Sequence, residues 1–136
     1  MFSYEERVKI YDTDAQGILH YAGYYRFFTD AIENAARKLN ISFPFYTDKL
    51  WFVVVESHAN YLRSVYLNDL LHIDVDLSVN DNKKALRSDL TIYDKTRGGY
   101  IACKGYLVHL LINKEIWKSV ELPEEIIELI KRSKDS

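Results

Sequence analysis

Between Tyr11 and Tyr25 the chain concentrates residue types that move protons and polarise carbonyls: the carboxylates Asp12 and Asp14, the imidazole of His20, and several tyrosines around Gly17. A carboxylate just ahead of a helix is a useful combination. The free amides of a first helical turn can polarise a carbonyl while the carboxylate attacks it or activates water. Acyl transfer without a serine is the chemistry this pattern permits. The same residues also read as a capped helix start, since Thr13-x-x-Gln16 matches a capping box and either aspartate can cap amides. Against that, the segment is rich in apolar and aromatic residues for a surface connection, as expected of a loop that packs around something.

Other chemistries lack their residues. There is no Gly-x-Ser-x-Gly elbow, no glycine-rich phosphate loop and no His-Glu-x-x-His helix. His20, His58, His72 and His109 occur singly, without the spacing of a metal site on one helix face. The single cysteine, Cys103, excludes an intrachain disulfide and a cysteine-rich zinc site. His72 falls on the wet face of a strand and reads as surface. His109 and Cys103 share parity with Leu107 and Leu111, which predicts a hydrogen-bonded core histidine and a small buried hydrophobe.

The elements that must position this loop follow from periodicity. Tyr24 to Leu39 repeats apolar residues at spacings of three and four, predicting a helix whose alanines at 31, 35 and 36 let a sheet approach closely. Leu71 to Val79 alternates apolar and polar residues, as a half-buried strand does. A second alternating run from Leu86 to Ile92, the turn Asp94 to Gly99 and a long strand from Tyr100 to Ile112 read as a hairpin. Trp51 to Arg63 opens on a valine run that suggests a strand buried centrally at its start. A short first strand is expected near Arg7 to Tyr11, and Pro123, Glu124 and Glu125 open a terminal helix that closes on Lys131 and Arg132. The sum is an α+β fold in which one long helix precedes a four-stranded antiparallel meander.

At 136 residues the chain suits a single domain over 1–136, able to bury roughly 68% of its unfolded surface. A net charge of -2 supplies no basic field for phosphate backbones, so nucleic acid is not an expected partner. Met1 to Arg7 carries acids and no apolar signal region, and the Trp51 to Val55 run is far too short to span a bilayer, which predicts a cytoplasmic protein without a membrane span.

Asp12-Thr13-Asp14-Ala15-x-Gly17, followed by Tyr21, Tyr24 and Phe27, resembles the opening motif of the hot-dog acyl-CoA thioesterases of the 4-hydroxybenzoyl-CoA thioesterase family. Val54-Val55 leading to Tyr61, Asn68-Asp69, Lys83-Lys84, Gly98-Gly99 and Leu122-Pro123 fall in the same order and spacing, so the likeness covers nearly the whole chain. It implies a hot-dog fold, with a long central helix wrapped by an antiparallel sheet and a C-terminal helix. It also implies a homodimer or dimer of dimers with thioester sites at the subunit interface, and no cofactor beyond the CoA carried by the substrate.

Carried over by position, the resemblance makes Asp14 the catalytic carboxylate, as nucleophile or general base. Tyr21 supplies the backbone N–H that points at the thioester carbonyl. Gly17, His20 and Tyr24 become substrate-binding candidates, and Lys83 and Lys84 candidates for the CoA nucleotide, with Arg63 a lesser one. Asp12 would hold the loop. Glu33 would replace Asp14 only in a branch that keeps its acid on the helix. The chain departs from the bacterial acyl-CoA branch in reading His20-Tyr21 for Tyr-His and Thr29-Asp30-Ala31-Ile32 for Glu-Arg-Ala-Arg. Two other activities fit an acyl pocket: a hot-dog hydratase or dehydratase, and a non-catalytic module that binds an acyl or aromatic ligand.

Overall fold

The computed structural model describes residues 1–134. Strand β1 (Phe2–Arg7) is followed by a single helical turn at Ile10–Asp12, helix α1 (Gly23–Lys38), strands β2 (Leu50–Tyr61), β3 (Leu70–Val79), β4 (Ala85–Asp94), β5 (Tyr100–Asn113) and β6 (Lys118–Val120), and helix α2 (Glu124–Ser133). The strands form one antiparallel sheet in the order β1-β3-β4-β5-β2, with β6 paired to the end of β5.

Helix α1 buries Tyr24, Phe27, Phe28, Ala31, Ile32, Ala35 and Ala36, the stripe its periodicity predicts. It lies against β1 and β3, and the core continues through Ile73, Val75, Leu90, Ile92 and Leu111. The fit is tight where α1 crosses β5. A Cβ on Gly105 would stand 2.4 Å from the carbonyl oxygen of His58 and 2.8 Å from the Phe28 ring. Helix α2 buries Ile126, Ile127 and Ile130 and packs on β3.

Four expectations need correction. The first strand lies earlier than Arg7 to Tyr11, because Phe2, Tyr4 and Glu6 alternate inward with Ser3, Glu5 and Arg7 outward, and the inward Glu6 masks the pattern. Its carboxylate is tolerated there because Arg26 of α1 meets it at 3.1 Å. The long strands are not a simple meander: β2 pairs with β5 at the sheet edge, and only β3, β4 and β5 are sequential neighbours. The valine run of β2 is therefore not central. The register slips between Val54 and Glu56, and Val54 and Val55 are 52% and 53% exposed. His109 is buried as expected, but its Nδ1 has no hydrogen-bond partner among the described residues, and burial pushes its imidazole down to about 4.

Candidate active site

The loop from Val8 to Ala22 is built by short-range bonds. The Asp12 carboxylate accepts the Lys9 amide at 2.9 Å and receives Arg26 in a two-pronged contact, Nε and Nη2 each at 2.7 Å. Asp12 is buried, so this contact supplies the partner a buried carboxylate requires. Arg26 also reaches Asp30 at 2.7 Å, and the three acids hold its guanidinium protonated. Asp12 thus ties the loop to α1 and has no oxygen left for chemistry.

Asp14 is held differently. Its Oδ1 accepts the amides of Gln16 at 2.8 Å and Ile18 at 3.2 Å, while its Oδ2 has no partner among the described residues and the side chain is exposed. Gly17 closes this small ring at φ +75°, where a side chain would be strained, and its amide donates to the Asp14 carbonyl at 3.1 Å. Thr13 and Gln16 form no helix cap: Thr13 Oγ1 donates to the Ile10 carbonyl, and α1 begins only at Gly23. The ring is then stitched to the segment between β2 and β3 by Leu67 N–H to Gly17 O and Leu19 N–H to Val65 O, both at 2.9 Å.

Past Leu19 the loop opens onto a cleft of about 300 Å³ lined by Leu19, Tyr21, Tyr24, Tyr61, Leu62, Arg63 and Ser64. Tyr24 is 4% exposed, yet its hydroxyl makes no hydrogen bond among the described residues. Burial, with Cys103, Tyr100, Tyr61 and Asp94 nearby, raises the phenol well above its ordinary value, so it stays a donor at neutral pH. Arg63 lies over the Tyr100 ring at 3.9 Å and meets no carboxylate among the described residues. Tyr21 is exposed, and nothing among the described residues accepts from its N–H.

The wall behind Tyr100 carries a charge cluster. Asp69 receives Arg97 Nε at 2.7 Å and the Tyr66 amide at 3.0 Å. Asp94 is fully buried on the inward face of β4, accepts the Arg97 amide at 3.2 Å, and leaves Oδ2 without a donor. A carboxyl that itself carries the proton shows that pattern. Burial and the neighbouring Asp69 push Asp94 up to about 7. Burial acts the same way on Asp69, but hydrogen bonds from Asp94 and Arg97 outweigh it and hold Asp69 below the usual range.

Of the residues singled out in the sequence, Tyr21, Tyr24 and Arg63 share the cleft, and Asp14, Gly17 and His20 stand on the loop beside it without lining it. Lys83 and Lys84 occupy the turn between β3 and β4, at the opposite end of β3 from the loop. Ten residues of strand, roughly 30 Å, separate the two ends. Glu33 is half-buried on α1. Arg26 was not foreseen. Arg26 lies on the polar side of a helical repeat, and its three carboxylate partners come together only in the fold.

The sequence pattern of the thioesterase-like superfamily matches residues 8–130, which include the loop, the cleft and most of α2. The chain belongs to that superfamily. A 1,4-dihydroxy-2-naphthoyl-CoA hydrolase of Nostoc punctiforme is 24% identical over 135 residues, 98% of this chain and 88% of that one. The structure of a Synechocystis 1,4-dihydroxy-2-naphthoyl-CoA thioesterase superposes with a TM-score of 0.88 at 17% identity, over 96% of this chain and 95% of that one. A Staphylococcus aureus protein solved in complex with CoA superposes with a TM-score of 0.85 at 21% identity, over 96% of this chain and 82% of that one. For this member of the thioesterase-like superfamily the hot-dog arrangement is the observed one, with six antiparallel strands around α1 and a second helix after them. No helix among the described residues is long and apolar enough to cross a membrane.

Proposed function

We propose that this chain hydrolyses acyl-CoA thioesters to a free acid and CoA, with no cofactor beyond the CoA of the substrate. The carrying observation is the Asp14 carboxylate: two backbone amides fix one oxygen and leave the other free and exposed, on the loop that also presents the unpartnered Tyr21 N–H. In one route Oδ2 attacks the carbonyl carbon, the C–S bond breaks with CoA leaving as thiolate, and water hydrolyses the resulting anhydride. In the other, Oδ2 takes a proton from the water that attacks. Either way the Tyr21 amide donates to the carbonyl oxygen as it gains charge.

The cleft favours a flat acyl group. Tyr21, Tyr24 and Tyr61 give it aromatic walls, and the Tyr24 hydroxyl would donate to an oxygen borne on the acyl ring. The named activity of the Nostoc relative, on a dihydroxylated naphthoyl thioester, agrees with this. Lys83 and Lys84 would meet the nucleotide of a CoA bound across two subunits. The chain would act as a homodimer paired through the free edge of β2, where Val54 and Val55 stand exposed.

The test is thiol release from acetyl-, hexanoyl-, palmitoyl-, benzoyl- and 1,4-dihydroxy-2-naphthoyl-CoA by wild type and Asp14→Asn. The variant keeps shape but removes the charge that both routes need, so turnover should fall by a factor on the order of 100 to 10,000. Asp12→Asn should instead lower thermal stability, because it breaks the contact to Arg26. Near-normal turnover by Asp14→Asn would overturn the role of Asp14, and binding without CoA release from any of the five would replace hydrolysis with a binding function.

A further inference from the structure

The side chains that line the cleft beside the loop are one-sided in their polarity. They include Arg63, Ser64 and three tyrosines, and no carboxylate. Tyr61 spends its hydroxyl hydrogen on the Tyr21 carbonyl at 3.3 Å. The Tyr24 hydroxyl, on a residue only 4% exposed, donates to nothing among the described residues. The N–H groups of the Arg63 guanidinium likewise meet no acceptor among the described residues. The acids of the wall behind Tyr100 are engaged elsewhere: Asp69 receives Arg97 Nε at 2.7 Å, and Asp94 is fully buried and accepts the Arg97 amide.

Arg63 is nevertheless held in place. Its amide and that of Leu62 both donate to the Ala102 carbonyl, at 3.1 and 2.9 Å, which fixes this stretch of backbone against β5. The guanidinium lies 3.9 Å over the Tyr100 ring, and the Tyr100 hydroxyl donates to the Ser64 carbonyl at 2.5 Å, so the ring beneath the cation is itself tethered to the next residue. Stacking occupies the flat of a guanidinium and leaves the N–H groups at its edge free for a carboxylate. A cation kept in one place, in a cleft that supplies hydrogen-bond donors and no acid, is complementary to an anion from outside the chain.

We propose that Arg63 is a specificity-determining residue, and that the cleft selects acyl groups bearing an ionised carboxylate of their own, which Arg63 receives with help from the Tyr24 hydroxyl. This rests on the hydrolase reading above, which puts the acyl group in the cleft with its thioester carbonyl at the Tyr21 N–H. A volume of about 300 Å³ is at the lower end of ligand cavities and suits an acyl group of one or two rings rather than a nucleotide. Hydrolysis of such a substrate releases a dicarboxylate and CoA.

Thiol release from 3- and 4-carboxybenzoyl-CoA and from their 3- and 4-carbamoyl counterparts tests it, since the carbamoyl group keeps the shape and loses the charge. Wild type should favour the better carboxyl compound over its counterpart by roughly 10-fold in kcat/KM, the scale of one charge-assisted hydrogen bond. Arg63→Gln should bring that ratio close to 1, and Arg63→Lys should keep part of it, because an ammonium retains the charge without the planar fork. The ratios should be the same with acyl-pantetheine thioesters, which carry no phosphate. A wild-type ratio near 1, or a ratio that Arg63→Gln leaves unchanged, overturns the proposal. So does a loss in Arg63→Gln that is equal for all four CoA thioesters and vanishes with pantetheine, which would assign the guanidinium to the CoA phosphates. Calorimetric binding of the same compounds to Asp14→Asn separates this from the hydrolase reading. If wild type releases no thiol from any of the compounds while the carboxyl ones still bind about 10-fold tighter and lose that margin in Arg63→Gln/Asp14→Asn, hydrolysis fails and the anion-selecting cleft stands.

Discussion

Asp94 occupies an inward position on β4, in parity with Leu90 and Ile92, and burial together with the neighbouring Asp69 raises its carboxyl. Its unfolded value is near 3.8 and its folded value about 7, so between those pH values the folded chain holds a proton that the unfolded chain has lost. Stability contributed by this group is therefore lost as pH rises through that window. Asp94→Asn keeps the acceptor for the Arg97 amide and offers Asp69 a permanent donor. Thermal melts should show Asp94→Asn more stable than wild type at pH 8 and little different at pH 5, and an equal difference at both would remove the raised Asp94 carboxyl from the account. His72 works with the same sign: Glu5 at 2.8 Å and Asp74 at 2.9 Å raise its value, so its contribution is present below the ordinary histidine range and fades as pH rises through the folded value.

At the scale of elements, two features decide how α1 and β2 are used. The approach of α1 to the sheet at Gly105 leaves no space for a methyl group, and one of the atoms in the way is the His58 backbone oxygen, which cannot rotate aside. Gly105→Ala should cost about 1–3 kcal/mol in denaturant unfolding, the usual price of overpacking, and a loss under a few tenths would mean that α1 shifts freely. Beyond Phe52, where Pro44 accepts its amide, strand β2 leaves one edge unpaired among the described residues and puts Val54 and Val55 in solvent. Light scattering should report a dimer at micromolar concentration, with Val54→Lys/Val55→Lys shifted toward monomer; a wild type that stays monomeric would dismiss the edge pairing and, with it, a site shared between subunits.

For the whole molecule, the separation of Lys83 and Lys84 from Asp14 along β3 is the informative fact. One chain cannot hold a thioester at Asp14 and a nucleotide phosphate at that turn unless CoA runs the length of β3. In the proposed dimer the lysines of one chain would instead serve the site of the other. Lys83→Ala/Lys84→Ala should raise KM for acyl-CoA with little change in kcat, because the lysines would hold ground and transition states alike. An equal rise for an acyl-pantetheine thioester, which has no nucleotide, would dismiss the contact.

Periodicity determined the helix at Tyr24 to Leu39, observed one residue earlier at each end, and the strands β3, β4 and β5, because in each most core-facing residues are apolar and recur with the period of the backbone. The Asp12 to Gly17 motif marked the loop, but the capping box that Thr13 and Gln16 suggest does not form, and Asp14 instead accepts the Gln16 and Ile18 amides. Tertiary structure alone decided the rest. Glu6 faces inward only because Arg26 reaches it from α1, and Asp94 is buried only because Asp69 and Arg97 arrive from other segments. The place of β2 at the sheet edge depends on which strand β5 accepts, a choice among partners far apart in the chain. The cleft joins Tyr21 and Tyr24 to Tyr61 and Arg63 across some forty residues. Local pattern sets which face of an element is apolar, but the polar partner that makes a buried charge tolerable, and the second wall of a cleft, come from elsewhere in the chain and are fixed only when the core closes.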